Sequence, residues 1–207
     1  MNMRTKLIAS SLMAASLISG TASAGLINGG FENPDIATGS YGLFATIPGW
    51  TASVGQIEIQ DNVAGTPFEG NQFLELDSTR PSVIYQDVGG LITGQTYELS
   101  FAFSARAGTS ISADNVLSVQ WDGVEVFQEQ AMTINPEWTQ YSILVTASAD
   151  INKLILADVS PNSRNSYGVY LDDFRLTAVP EPTSLALLGL GLTGLGFINR
   201  RRQRKIS

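Results

Sequence analysis

The chain has 207 residues, 43% of them hydrophobic, with no cysteine, no histidine and a formal net charge of −7. Disulfides, thiol nucleophiles, zinc–thiolate and iron–sulfur sites are thereby excluded, the commonest general base is missing, and any bound metal is a hard cation on oxygen ligands. All 19 acidic residues fall within residues 25–182 against five basic ones (Arg80, Arg106, Lys153, Arg164 and Arg175), a 14-unit excess that repels nucleic acid and anionic lipid.

At the start, Arg4 and Lys6 precede an apolar run over residues 7–18, followed by Ala22-Ser23-Ala24. A charged region, a short apolar core and a small-residue site in this order predict a secretory signal peptide over residues 1–24, cleaved after Ala24. An uncleaved anchor would call for a longer apolar run. From residue 25 to 178 no helical period of any length occurs. Short runs rich in Val, Ile, Leu, Phe and Tyr alternate instead with Gly, Pro, Asn and Asp.

The runs fall at 56–60, 72–76, 83–88, 96–104, 116–121, 124–128, 139–146, 153–159 and 168–176. Asp122-Gly123 between two of them predicts a two-residue hairpin turn with positive φ at both positions. Nine or ten short strands without helices predict one all-β domain over 25–178, an antiparallel jelly-roll β-sandwich. In its last run, period-2 alternation puts Tyr170, Asp172, Phe174 and Leu176 on one face. A carboxylate on that apolar face needs a partner, which calcium, backbone N–H groups or an arginine can supply.

Residues 179–207 begin with Val179-Pro180-Glu181-Pro182, continue with an apolar stretch over 183–198 and end in Arg200-Arg201-Arg202-Gln203-Arg204-Lys205. Sixteen helical residues span ~24 Å, a little short of a ~30 Å hydrocarbon core that can thin to meet them. The basic cluster stays cytoplasmic and places the domain outside. Gly189, Gly191, Gly194 and Gly196 suit this predicted transmembrane helix to close packing against another.

Pro180-Glu181-Pro182, the Gly/Leu-rich span and the Arg200, Arg201, Arg202 basic stop, in that order, resemble the PEP-CTERM sorting signal. The resemblance implies processing by a membrane-embedded exosortase near Pro180-Glu181-Pro182. It also implies a Gram-negative host that makes extracellular polysaccharide, and a cell-surface or extracellular-matrix destination. Relatives often carry a Ser/Thr/Pro-rich spacer before the motif, and this chain has almost none.

The domain, for its part, resembles the galactose-binding-like jelly rolls found among carbohydrate-binding modules. Asn28-Gly29-Gly30-Phe31-Glu32 looks like their first strand and Tyr170-Leu171-Asp172-Asp173-Phe174-Arg175-Leu176 like their last. With Pro48-Gly49-Trp50, Glu69-Gly70 and 94–101 between them, the order is similar to that of the plant and bacterial cell-wall family of tandem domains of unknown function. This chain has one such domain and no cysteine, so a paired-domain function is not carried over. The resemblance implies that Glu32 and Asp172 help to hold a structural Ca²⁺ completed by backbone carbonyls.

A sugar-binding surface stacks pyranose faces on aromatic rings and hydrogen-bonds hydroxyls with polar side chains. Trp121 shares parity with Leu117 and Val119 and is expected in the core, Trp138 is expected to seal one end, and Trp50 to pack under the Pro48-Gly49 turn. Tyr85 is a further candidate. Tyr41 and Tyr167 lie in Gly/Ser/Asn-rich loops and, with Arg80 and Arg164, form the expected carbohydrate-facing set.

No catalytic residue is assigned. Neither a nucleophile elbow nor a phosphate-binding loop is present, no histidine can serve a serine triad, and no spacing selects a carboxylate pair for glycoside hydrolysis. The expectation is an exported, non-catalytic protein that associates non-covalently with extracellular polysaccharide. A structural matrix protein without a dedicated ligand is the alternative, and a glycoside hydrolase a remote one.

Overall fold

The computed structural model describes residues 25–109, 115–161 and 166–180. The signal peptide with Ala22 and Ala24, the loop residue Arg164, and the tail from Glu181 and Pro182 through Arg200, Arg201 and Arg202 lie outside the described residues.

Among the described residues, twelve strands form where apolar and polar side chains alternate between turn residues. They are β1 (Ser40–Phe44), β2 (Thr46–Ile47), β3 (Trp50–Val54), β4 (Ile57–Asp61), β5 (Phe73–Leu76) and β6 (Val83–Val88). The chain continues with β7 (Thr96–Ala105), β8 (Val116–Trp121), β9 (Val124–Gln130), β10 (Thr139–Thr146), β11 (Asn152–Asp158) and β12 (Val169–Ala178). One six-stranded sheet runs β1-β4-β5-β12-β7-β10 and the other β2-β3-β6-β11-β8-β9, with neighbouring strands antiparallel. The result is a jelly-roll sandwich. Its β8–β9 turn carries Asp122 at φ 51° and Gly123 at φ 78°, the left-handed pair that a two-residue hairpin needs.

The core between the sheets takes Leu74, Leu99 and Phe103 from the first and Ile84, Val119 and Leu154 from the second. Each such side chain contributes about 1.5–3 kcal/mol relative to exposure. Trp121 is part of this core and donates its Nε1–H to the Thr146 carbonyl at 2.9 Å. Trp50 lies buried under the Pro48-Gly49 turn, its Nε1–H on the Asn28 carbonyl at 3.1 Å.

Two expectations about local structure are corrected. Residues 28–32 form no strand. Asn28 (φ 54°) and Phe31 (φ 56°) are left-handed, and the segment bends so that Phe31 plugs the end of the core. Its ring packs 5.6 Å from Trp50 and 6.1 Å from Phe174, centroid to centroid. Asn28 closes the bend, with Nδ2 donating to the Asn33 carbonyl at 2.6 Å and Oδ1 accepting from the Asn33 N–H at 3.1 Å.

The second correction concerns β12. Its register against β7 shifts between Asp172 and Arg175, where Asp173 takes φ 54°. A bulge of this kind reverses side-chain parity. Phe174 and Leu176 therefore enter the core while Tyr170 and Asp172 face away from it, so the four do not share one face.

That outward face of the first sheet is covered rather than open. Phe73 packs against Tyr170 with the rings tilted by 59° at 4.7 Å, and half-buried Trp138 packs edge-on against Phe73 at 6.0 Å. Trp138 thus seals an outer aromatic cluster. The chain between β4 and β5 crosses this cluster and is pinned by Asn135, which accepts from the Thr66 N–H at 2.8 Å and donates to the Thr66 carbonyl at 2.9 Å. Tyr170 adds its hydroxyl to the Ala64 carbonyl at 3.2 Å.

Candidate functional site

Two short strands with the same polar parity build the site. In β4, Ile57 and Ile59 face the core and leave Glu58 and Gln60 outward; in β5, Leu74 and Leu76 do the same for Glu75. Pairing of β4 with β5 sets Glu58 directly opposite Glu75, and β1 sets Tyr41 opposite Gln60. Glu58, Gln60 and Glu75 are all buried.

Gln60 bridges the two carboxyls, its Nε2 donating to Glu58 Oε1 at 3.0 Å and also to Glu75 Oε2. One cation serves the pair. Arg106 Nη1 meets Glu75 Oε1 at 2.5 Å and donates to the Ser166 carbonyl at 2.9 Å, while the Gly168 N–H adds a bond to Glu75 Oε1 at 3.0 Å. The guanidinium stacks 4.5 Å from the Tyr167 ring. Burial, and after it the neighbouring Glu58, push the Glu75 carboxyl up to about 8 although Arg106 lies against it. Burial likewise raises Glu58.

Above this group opens a cleft of about 330 Å³, within the range of small-ligand sites. Tyr41 and Tyr167 line it, both substantially exposed, and Arg106, Glu58, Gln60 and Ser78 make its polar floor. Gln60 Oε1 and Ser78 Oγ are buried there without a hydrogen-bond partner. Orphaned polar atoms of this kind, an amide acceptor and a hydroxyl that can donate or accept, are costly unless something completes them.

The structure thus brings two members of the expected carbohydrate-facing set, Tyr41 and Tyr167, to one cleft from distant parts of the chain. Arg80 is exposed and does not line it. Tyr85 lies on the other sheet under the Lys153 ammonium, 4.0 Å from its ring centroid. Arg106, Glu58, Gln60 and Glu75 were not among the residues singled out from the sequence. The signal was available in Ile57-Glu58-Ile59-Gln60 and Leu74-Glu75-Leu76, two alternating runs whose polar positions align once the strands pair.

Glu32 and Asp172 converge at a second place, around the chain just before β5. Asp172 Oδ2 accepts from the N–H groups of Phe68 (2.9 Å) and Glu69 (3.0 Å), and Oδ1 from that of Asp173 (2.7 Å). Glu32 Oε1 accepts from the N–H groups of Asn71 (2.8 Å) and Gln72 (3.0 Å). Both side chains lie beside Gly30, where an added Cβ would stand 3.9 Å from Asp172 Oδ1 and from the Glu32 Cγ methylene. Burial pushes the Asp172 carboxyl up to about 7 against the pull of its N–H donors. Asp172 Oδ1, with one N–H bond, keeps a lone pair for a hard cation, so the donor chemistry of the two carboxyls fits calcium. Among the described residues no three acidic side chains gather to hold a metal, so carbonyl oxygens would have to complete the set.

Residues 178–202 match the PEP-CTERM protein-sorting motif, which marks the chain for export and sorting. The chain is 28% identical over 145 residues to the multifunctional-autoprocessing repeats-in-toxin of Vibrio vulnificus, covering 69% of this chain and 2% of the toxin. It is 25% identical over 174 residues to halomucin of Haloquadratum walsbyi, covering 77% of this chain and 2% of halomucin. This chain therefore spans about 2% of the length of these curated relatives.

Among solved structures, it is similar to the family 35 carbohydrate-binding module of Paenibacillus barcinonensis (TM-score 0.45, 15% identity, 68% of this chain and 99% of that one). It is also similar to TmCBM61, solved with β-1,4-galactotriose (TM-score 0.49, 13% identity, 76% of this chain and 100% of that one). A third is the CBM22-1–CBM22-2 tandem of Xyn10C from the same Paenibacillus (TM-score 0.49, 19% identity, 77% of this chain and 48% of that one).

Proposed function

We propose that this protein is exported, processed by an exosortase at Pro180-Glu181-Pro182 and delivered to the cell surface or extracellular matrix. There it binds extracellular polysaccharide non-covalently through the cleft of Tyr41, Tyr167 and Arg106. The observation that carries the reading is the combination of two exposed tyrosine rings with a buried polar floor whose Gln60 and Ser78 acceptors have no protein partner. Rings of this kind offer sugar faces a stacking surface, and the floor offers their hydroxyls hydrogen bonds. Its role is binding rather than catalysis: the two carboxyls of the floor are tied together through Gln60 and held by Arg106.

Affinity electrophoresis of the full chain, held in mild detergent, through gels containing the host's exopolysaccharide or common β-glucans tests this. Retardation by one polysaccharide is expected, with about a tenfold loss of affinity in Tyr41→Ala, the scale of one aromatic contact. No retardation by any of them overturns the reading in favour of a structural matrix role.

The proposal includes a calcium ion held by Glu32 and Asp172, whose function is to fix the chain before β5. Two observations support it: both side chains lie beside the same glycine, and Asp172 Oδ1, with one N–H bond, keeps a lone pair there. Thermal melts with and without EDTA, with elemental analysis, decide it. An unchanged midpoint and no calcium in the purified protein would sink this part alone.

A further inference from the structure

The end of the sandwich opposite the cleft, where β12 finishes, has a chemistry of its own. Hydrogen bonds gather its loops: the Leu91 N–H meets the Asp150 carbonyl at 3.1 Å, the Gly94 N–H the Ala147 carbonyl at 2.8 Å, and the Val179 N–H the Thr96 carbonyl at 2.9 Å. Gly25 pairs with Gly89, and the Ile27 backbone exchanges two bonds with the Gln86 amide, at 2.6 and 2.9 Å. A Cβ added to Gly89 would stand 3.8 Å from Ile151 Cγ1. On these loops Ile27, Ile92 and Ile151 are 54%, 67% and 56% exposed.

Charge is nearly missing here. Residues 25–28, 48–49, 89–95 and 147–151 hold one charged side chain, Asp150, in a domain with a 14-unit acidic excess. The loops at the cleft end carry Asp61, Asp77, Arg80, Arg106 and Glu137. The β8–β9 turn borders the charge-poor end with Asp122, whose carboxyl is taken up by the Lys153 N–H at 2.7 Å and by the Ser148 and Asn152 side chains. The Lys153 ammonium pairs with Asp87 at 2.5 Å. Single exposed aliphatics are ordinary; three on loops tied into one charge-poor end mark an interaction surface.

What lies against this end follows from the length of chain beyond it. Val179 is fixed to the sheet, and four chain steps later, at Thr183, the apolar stretch over 183–198 begins. Four steps reach at most about 14 Å. The headgroup layer takes up about 5–8 Å on each side of a bilayer's hydrocarbon. When 183–198 enters a bilayer, the end of the domain therefore stands at most about 9 Å above the headgroups.

Resting on the sorting reading, in which that stretch spans the membrane before processing, we infer that this end is a lipid-contacting foot. Ile27, Ile92 and Ile151 dip into the headgroup–acyl boundary of a zwitterionic bilayer, and Asp150 lies beside the ammonium groups of its headgroups. The acidic remainder of the domain disfavours an anionic surface. Three isoleucine side chains hold about twelve carbons, fewer than a myristoyl chain, whose membrane binding is marginal and reversible on its own. The contact is consequently firm only while the short tether keeps the effective concentration high, and it lapses once processing cuts the tether.

The chain has no cysteine, so Ile92→Cys, Ile151→Cys and Met132→Cys can each carry a single bimane label on the signal-cleaved chain, Gly25–Ser207. Met132, 70% exposed at the cleft end, is the apolar control. In phosphatidylcholine nanodiscs with headgroup-spin-labelled lipid, fluorescence at 92 and 151 is expected to fall about twofold or more, because interfacial side chains sit ~5–10 Å into the boundary. The label at 132 should be unaffected. Ile151→Asp in the Ile92→Cys protein should restore about half of the lost signal, and so should replacing about a third of the lipid by phosphatidylglycerol at low salt.

Quenching at 92 and 151 no greater than at 132, in a chain that co-elutes with the discs, overturns the inference and leaves the sorting reading standing. Unquenched but blue-shifted labels at 92 and 151 overturn it too, since protein, a second copy or the chain's own tail, then covers this end. A chain that does not enter the discs overturns the membrane span and the inference together. If Ile151→Asp does not melt cooperatively, the comparison of 92 and 151 with 132 decides the matter.

Discussion

Asp172 and Glu75 lie on paired strands, face the same way and are both fully buried, yet their charges are met by different means. At Asp172 the partners described are backbone N–H groups, three on the carboxyl itself and two more on Glu32 alongside. At Glu75 they are mostly side chains: Arg106, Gln60 and, through Gln60, Glu58. Backbone donors are fixed by the fold, so the first cluster ties the chain before β5 to β12 and holds one geometry. Side-chain donors leave remainders, and Gln60 Oε1 and Ser78 Oγ are those remainders. The first arrangement builds structure, and the second leaves bonding capacity for something else.

The largest test of this division is Arg106→Ala. It strips two buried carboxyls of their one cation and should cost about 3–5 kcal/mol in urea unfolding, the scale of breaking a buried ion pair from one side. A cost below about 1 kcal/mol would mean that Glu75 and Glu58 are neutralised some other way.

Asp172→Asn comes next. Its amide puts an N–H₂ or a weaker acceptor where N–H groups now meet a carboxylate. Stability should fall by about 1–3 kcal/mol and amide exchange should quicken at Phe68 and Glu69, with glycan affinity unchanged. A loss of affinity matching that of Tyr41→Ala would erase the distinction between the two clusters.

The smallest effect is a slope. The folded Glu75 holds its proton up to about 8 against an ordinary value of 4.5, so the unfolded chain releases a proton that the native one keeps. Its contribution to stability is full below pH 4.5 and is lost as pH rises through 8. Melting midpoints of the wild type should therefore decline across that window more steeply than those of Glu75→Gln. Parallel slopes would show that the carboxyl ionises in the folded cleft as it does in water.

Much of the sandwich was legible because alternation and turn chemistry agree. The runs at 83–88, 116–121 and 139–146 coincide with β6, β8 and β10, and Asp122-Gly123 takes the hairpin conformation that its composition demands. β1, β2 and β3 were not legible, since short strands rich in Gly, Ser, Ala and Thr carry little hydrophobic period. The face of Asp172 was misread because one left-handed residue, Asp173, resets the parity, and nothing local distinguishes that Asp from its neighbour. Tyr41 and Tyr167 stood out as aromatic residues in loop-like sequence. Glu58 and Glu75 did not, because polar positions on a strand ordinarily mean solvent, and only pairing of β4 with β5 buries them together; Arg106, just past the end of β7, reaches them only through the fold.

β12 joins the two ends of the molecule in a single run. It starts two residues after Tyr167 at the cleft and ends at Ala178, after which the Val179 N–H bonds the Thr96 carbonyl at 2.9 Å and its own carbonyl takes the Gln95 Nε2–H at 2.6 Å. Ten residues of strand measure about 33 Å. The cleft and Val179, the residue before Pro180, are therefore held at opposite ends of a stiff strut, and that far end is stitched to the sheet rather than hung on a leash.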